Sequence, residues 1–274
     1  MKKIASLLSV FTALLLPALA FAIAPDTHTV HPGGFPLPAS NIAAEVTQTY
    51  NIIFWIIAVI AVLVYGLLLY AIWRFRRSKN PVSAKFSHGT VIEIVWTVIP
   101  ALICLYIGWE SYRILHLMHN TPKDGITVEV VGYQFGWDFY YPELGIAVPE
   151  ATAPNKELSI PGKERLVKEL LVPIDTNVRL QVTAMDVIHS FFAPAMGVKM
   201  DAIPGRVNYK WFRPNQEGAF IGQCAELCGT AHGEMFFVIK VVSKEVWQNW
   251  VNEQRKAKGL EPLQAVAAND AQAK

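Results

Sequence analysis

The chain is predicted to fold as a two-helix transmembrane hairpin followed by an exported all-β domain of the sandwich or barrel type. Three observations predict it. Ile52 to Trp73 runs without a charged side chain, and Val91 to Trp109 forms a second apolar stretch that contains Glu93 and Pro100. From Gly125 onward the texture changes to short β-rich runs split by Pro149, Pro154, Pro161-Gly162, Pro173, Pro204-Gly205 and Pro214, the punctuation of a sandwich or barrel. The mean hydropathy of +0.30 is carried by localised apolar stretches, which membrane spans explain better than a large core.

The elements follow in order. Met-Lys-Lys, the apolar stretch from Ile4 to Ala22 and small-residue pairs at Ala18/Ala20, Ala20/Ala22 and Ala22/Ala24 predict a signal peptide over residues 1–24, a further membrane helix being the alternative. Residues 25–45 form an exported segment that opens Pro- and Gly-rich, and residues 46–116 the hairpin, with spans near 52–73 and 91–109. At about 1.5 Å per residue the first span reaches roughly 33 Å, enough for a hydrocarbon core of about 30 Å. The connecting loop 74–90 holds Arg74, Arg76, Arg77, Lys79 and Lys85 and no acid, so it is expected in the cytoplasm of a bacterial cell, with both ends of the chain outside.

Residues 122–242 form the exported domain, with strands expected near 127–141, 168–172, 178–184, 189–193, 206–213, 218–223 and 235–242. Residues 243–274 are expected to give a terminal helix capped by Ser243 and a disordered tail after Gly259. The exported domain carries 11 Lys and Arg against 14 Asp and Glu, a net of −3, and so no basic footprint for nucleic acid.

The chemistry is concentrated in residues 224–235, Cys-Ala-Glu-Leu-Cys-Gly-Thr-Ala-His-Gly-Glu-Met, which hold two of the three cysteines. Thiolate, imidazole and thioether together favour copper over hard cations. His189, from an earlier strand edge, completes a set with Cys224, Cys228, His232 and Met235. Two thiolates can bridge two metal ions, each with a terminal imidazole and a weak axial ligand, one axial place being left to a backbone carbonyl of the loop. A Cys224–Cys228 disulfide and a structural zinc site are the alternatives, but neither uses the thioether.

Three segments carry a resemblance: Ile203-Pro204-Gly205-Arg206, Gly222-Gln223-Cys224-Ala225-Glu226-Leu227-Cys228-Gly229 with His232 and Met235, and Val187-Ile188-His189-Ser190-Phe191. They closely resemble subunit II of cytochrome c oxidase, over roughly residues 45–242. The resemblance implies a cupredoxin-like Greek-key barrel or sandwich carrying the binuclear copper centre CuA. Carried over by position, His189, Cys224, Cys228, His232 and Met235 become side-chain ligands of two copper ions and Glu226 gives its carbonyl. The Glu226 carboxylate is implied to reach a magnesium or manganese ion shared with subunit I. The implied partners are subunit I, which holds the haem and the oxygen-reducing site, subunit III, and cytochrome c or another periplasmic electron donor.

Tyr133, Phe135, Trp137, Phe139 and Tyr141 alternate, so an extended strand over 127–141 would place all five on one face. The family uses this segment for electron entry, and Phe135 stands where its members have a tryptophan, Trp137 aligning with a second one. Electron entry through Phe135, or shifted to Trp137 or Tyr133, is therefore expected, with Asp138, Glu143 and Asp186 as candidates for a docking face. Glu93 lies on one helix face with Thr97, Pro100 and Cys104; an ionisable residue in a span is a functional candidate, and the resemblance implies proton entry there. A nitric oxide reductase subunit and a membrane-anchored copper-delivery or thiol-redox protein are the other readings of the same residues.

Overall fold

The computed structural model describes residues 36–82, 85–150 and 167–263. The expected signal peptide, most of the segment opening at Pro25 and the end of the predicted tail lie outside the described residues.

Among the described residues, two helices are long and apolar enough to cross a membrane, α1 (Asn41–Arg74) and α2 (Thr90–His119). At about 1.5 Å per residue they measure roughly 51 and 45 Å, well beyond a hydrocarbon core of about 30 Å. The excess lies at the end nearer the β domain, where the side chains turn polar. Here Arg113 of α2 bonds Glu45 of α1 at 2.7 Å and Glu110 of its own helix at 3.0 Å, pinning one helix against the other. The first turn of α1 is capped by Ser40, whose hydroxyl oxygen accepts from the Ala43 N–H at 3.1 Å.

Ten strands among the described residues form two five-stranded sheets. In chain order they are β1 (Ile126–Tyr133), β2 (Gly136–Tyr141), β3 (Ile146–Ala147), β4 (Glu169–Pro173), β5 (Val178–Ala184), β6 (His189–Ala193), β7 (Val198–Ala202), β8 (Asn208–Phe212), β9 (Gly218–Cys224) and β10 (Phe236–Val242). One sheet runs β3-β2-β1-β5-β8 and the other β4-β10-β9-β6-β7. The pairs β1–β5 and β4–β10 are parallel, the others antiparallel. This is the expected sandwich. Strand β7 was not anticipated, although Val198, Met200 and Ala202 alternate with Lys199 and Asp201, the pattern of a strand with one face turned to the core.

The continuous strand expected over 127–141 does not form. The chain reverses at Gln134 and Phe135, and β1 pairs antiparallel with β2, Tyr133 opposite Gly136. The five aromatics therefore do not share a face. Trp137, Phe139 and Tyr141, spaced by two along β2, point inward at 2% exposure or less, whereas Phe135 is 37% exposed at the turn. The inward rings build the core: Trp137 packs edge-on to Phe191 and Phe237, which stack on each other at 4.3 Å. The Tyr141 hydroxyl donates to the Leu171 carbonyl, and burial raises its pKa.

The β domain is seated on the membrane hairpin through several contacts. The Ala39 and Asn41 N–H groups donate to the carbonyls of Ala195 and Arg213, and the Ser40 hydroxyl to that of Met196 at 2.8 Å. Gly197, at φ +67°, allows this approach, since a Cβ there would stand 2.7 Å from the Ala43 nitrogen. Ile114 is buried and Leu117 and Met118 pack on the core, so the end of α2 belongs to the β domain's interior. A final helix, α3 (Lys244–Ala257), is capped by Ser243 as expected and buries Val251.

Candidate metal centre

The strand register brings the first two donors together. Phe191 of β6 lies opposite Cys224, the last residue of β9. His189 is two residues before Phe191 and so shares its face, which sets the imidazole beside the thiol. The loop from Ala225 to Met235 then returns to β10, closed at its mouth by Cys224 N–H to the Met235 carbonyl at 3.0 Å and Ala225 N–H to the Ser190 carbonyl at 2.9 Å.

Within this frame the soft donors converge. The Cys224 and Cys228 Sγ atoms are 3.9 Å apart. His189 Nδ1 lies 4.0 Å from Cys224 Sγ, and His232 Nδ1 3.6 Å from Cys228 Sγ. Met235 Sδ is 3.8 Å from Cys228 Sγ, and the Glu226 carbonyl accepts from the Cys224 thiol at 3.3 Å. His189, Cys224 and Cys228 alone form a group able to hold a metal ion. All six residues expected from the sequence are thus within reach of the two sulfurs, and both cysteines are free thiols. The Glu226 side chain is exposed on the loop.

This donor set fits copper. Two thiols side by side, each with an imidazole nitrogen and one with a thioether, offer soft and borderline ligands to a soft metal. His189 is fully buried and Cys224, Cys228 and Met235 are at most 5% exposed, so these donors are shielded from water, while His232 is half-buried on the loop. Burial pushes the Cys228 thiol up to about 11, and the neighbouring Cys224 adds to the shift. The metal-free chain therefore holds Cys228 protonated at neutral pH, and a metal must displace that proton.

Two residues that hold the site were missed by sequence reasoning. Asp186, expected on a docking face, accepts a bond from His189 Nε2 at 2.8 Å and from the N–H groups of Gln134 and Val187 at 2.7 Å each. Desolvation raises the Asp186 pKa, but these donors outweigh it and hold the carboxyl below its ordinary value. A proton on Nε2 directed at Asp186 leaves the Nδ1 lone pair facing Cys224, the arrangement a ligating imidazole needs. Its place three residues before His189 was the available signal. The second is Gln134, whose amide donates to the Cys228 carbonyl at 2.6 Å.

The aromatic residues take different positions. Trp137 is buried edge-on against His189, ring centroids 6.0 Å apart, while Phe135 lies at the surface over Gly229, next to Cys228. Asp138 and Glu143 are paired with Lys168 and Arg179, which weakens them as a free acidic face. Glu93 is separated from this centre by nearly the whole of α2, about 39 Å of helix to His119. Its carboxylate accepts from the Gly89 N–H at 3.1 Å and caps the helix start.

The chain is similar to known proteins over most of its length. Residues 126–242 match the family described as cytochrome C oxidase subunit II, periplasmic domain, and residues 29–114 its transmembrane domain. A probable cytochrome c oxidase subunit 2 of Rickettsia bellii is 41% identical over 239 residues, 86% of this chain and 89% of that protein. Cytochrome c oxidase subunit 2 of Cereibacter sphaeroides is 38% identical over 242 residues, 81% of this chain and 80% of that protein. A crystal structure of the periplasmic domain of subunit II of Bradyrhizobium japonicum cytochrome oxidase covers 50% of this chain and 98% of its own, with 38% identity and a TM-score of 0.45. With two family descriptions covering most of its length and relatives near 40% identity, the chain belongs to the cytochrome c oxidase subunit II family.

Proposed function

We propose that this chain is the electron-input subunit of a haem-copper oxidase, accepting electrons one at a time from cytochrome c or a comparable periplasmic donor and delivering them to the haem of subunit I. There oxygen is reduced to water, coupled to proton translocation. His189, Cys224, Cys228, His232, Met235 and the Glu226 carbonyl would hold two copper ions, which supply one-electron exchange with little change of shape. The observation that carries this reading is the pair of thiols 3.9 Å apart with one imidazole beside each. The residues do the rest: β6 and β9 hold the donors rigidly, and Asp186 orients His189. Burial of His189, Cys224, Cys228 and Met235 also speaks against a copper-delivery protein, whose site must open to exchange metal.

The basic loop 74–90 puts the metal domain on the outer side of a bacterial inner membrane. Subunit I and subunit III would lie against the hairpin, and the exposed Glu226 carboxylate would reach a magnesium or manganese ion shared with subunit I. Phe135 and Trp137 serve electron entry, the first exposed and the second against His189. Glu93 serves proton entry from the opposite end of α2.

The test is copper content and paramagnetic resonance of the full chain purified with its membrane partner. Two coppers per chain sharing one unpaired electron are expected beyond the copper of the haem-copper partner, and Cys224→Ser removes the shared signal. One copper per chain beyond the partner's, or a shared signal that survives Cys224→Ser, would refute the binuclear assignment.

A further inference from the structure

The β1–β2 turn rests on both segments that carry the metal donors. The side-chain amide of Gln134 donates to the Cys228 carbonyl at 2.6 Å, while its backbone N–H donates to Asp186 Oδ2 at 2.7 Å. Asp186 Oδ1 in turn meets His189 Nε2 at 2.8 Å. A continuous line of three hydrogen bonds thus runs from the backbone of one thiol donor to the imidazole beside the other, and Gln134 and Asp186 are its two inner members. The partners lie 52 and 94 residues away in sequence, so the turn joins segments that only the fold brings together.

The fit on the loop side is tight. Gly229 has φ +139°, and a Cβ there would stand 2.9 Å from the Phe135 ring and 3.0 Å from Gln134 Nε2. Only a residue without a side chain lets the turn settle this close to Cys228.

We propose that Gln134 is a positioning residue for the metal centre, a brace that fixes the Cys228 side of the site against the His189 side. It touches no metal donor atom; it acts through the Cys228 backbone and the Asp186 carboxylate. A partner pressing on the exposed Phe135 would bear on the same turn, so the surface at which electrons enter and the brace of the metal site are consecutive residues. The inference rests on the copper reading given above.

The experiment compares the parent, Gln134→Leu and Gln134→Glu as full chains in the assembled oxidase. Both replacements keep the backbone N–H that serves Asp186. Leucine removes the side-chain donor, and glutamate sets a carboxylate against the Cys228 carbonyl. Copper retention against a chelator is expected to weaken about 10- to 100-fold in Gln134→Leu and further in Gln134→Glu, with a shifted paramagnetic spectrum in the copper that remains. Because Gln134 is exposed, both variants should fold, and circular dichroism of the chains checks this. If Gln134→Leu fails to assemble, the glutamate variant decides by the same two readings. Retention and spectrum equal to the parent's overturn the inference. A parent that holds no shared pair of coppers overturns the copper reading itself, an outcome distinct from unchanged variants of a properly loaded parent.

Discussion

The indole Nε1–H of Trp211 donates to the carbonyl of Leu117 at 3.1 Å, joining β8 to the last turn of the second membrane helix. A helix end leaves its final carbonyls without partners, and here a buried side chain of the metal domain supplies one. Trp211→Phe keeps most of the ring but strands that carbonyl. The full chain in detergent should lose about 1–3 kcal/mol of stability, read from chemical unfolding, with copper content unchanged. An unaltered unfolding midpoint would show that the contact contributes nothing.

Asp186 is the strongest test of how the site is held. Asp186→Ala leaves His189 Nε2, the Gln134 N–H and the Val187 N–H without their acceptor. The imidazole then loses the bond that turns Nδ1 toward Cys224. Copper affinity should fall about 10- to 100-fold, measured by competition with a chelator. Affinity equal to the parent's would mean that packing against Trp137 alone fixes the ring.

The hairpin and the donor loop were legible because each signal is contiguous. A charge-free run declares a span, and four soft donors within twelve residues declare a metal site. The turn at Gln134 was hidden because aromatic alternation continues in register straight through it; Gly132 and Gly136 on either side were the only hint of a reversal. Asp186 and Gln134 escaped as site residues for another reason. Gln134 meets its partners 52 and 94 positions away, and no local pattern encodes such a contact. Asp186 stands only three residues before His189, but one carboxylate near one imidazole reads equally well as a surface charge.

Cys228 gives the metal-free chain a pH dependence of definite sign. Burial raises its pKa from the ordinary thiol value to about 11, so the folded chain holds the proton more tightly than the unfolded chain. The contribution is fully present below the ordinary thiol value and is lost as pH rises toward about 11, because the unfolded state binds fewer protons there. Denaturant unfolding of the metal-free chain across this range should show falling stability, and Cys228→Ala should flatten the slope. A parent slope as flat as the variant's would contradict the burial of this thiol.

Glu93 caps its helix and is proposed to serve proton entry, and one substitution can separate the two. Its carboxylate caps α2 through the Gly89 N–H, and an amide oxygen can accept the same bond. Glu93→Gln therefore keeps the cap and removes only the proton. Thermal stability should stay within about 0.5 kcal/mol of the parent, while turnover of the assembled oxidase falls. Undiminished turnover would leave Glu93 as a helix cap and nothing more.

Phe135 lies at the surface and Trp137 in the core, and this predicts different failures. Phe135 is 37% exposed beside Gly229, open to the proposed donor, whereas Trp137 is 2% exposed and packed against His189, Phe191 and Phe237. Truncating an exposed aromatic anchor removes contact area from the complex without opening a cavity in the core. Phe135→Ala should raise the KM for the donor about tenfold, on the order of 1.4 kcal/mol, with stability near the parent's. Trp137→Ala empties the centre of the aromatic core and should destabilise the domain by about 3–5 kcal/mol. Steady-state kinetics with a reduced c-type cytochrome, set beside unfolding of each variant, separate the two. A Phe135→Ala enzyme with the parent's KM would move the docking contact away from this turn.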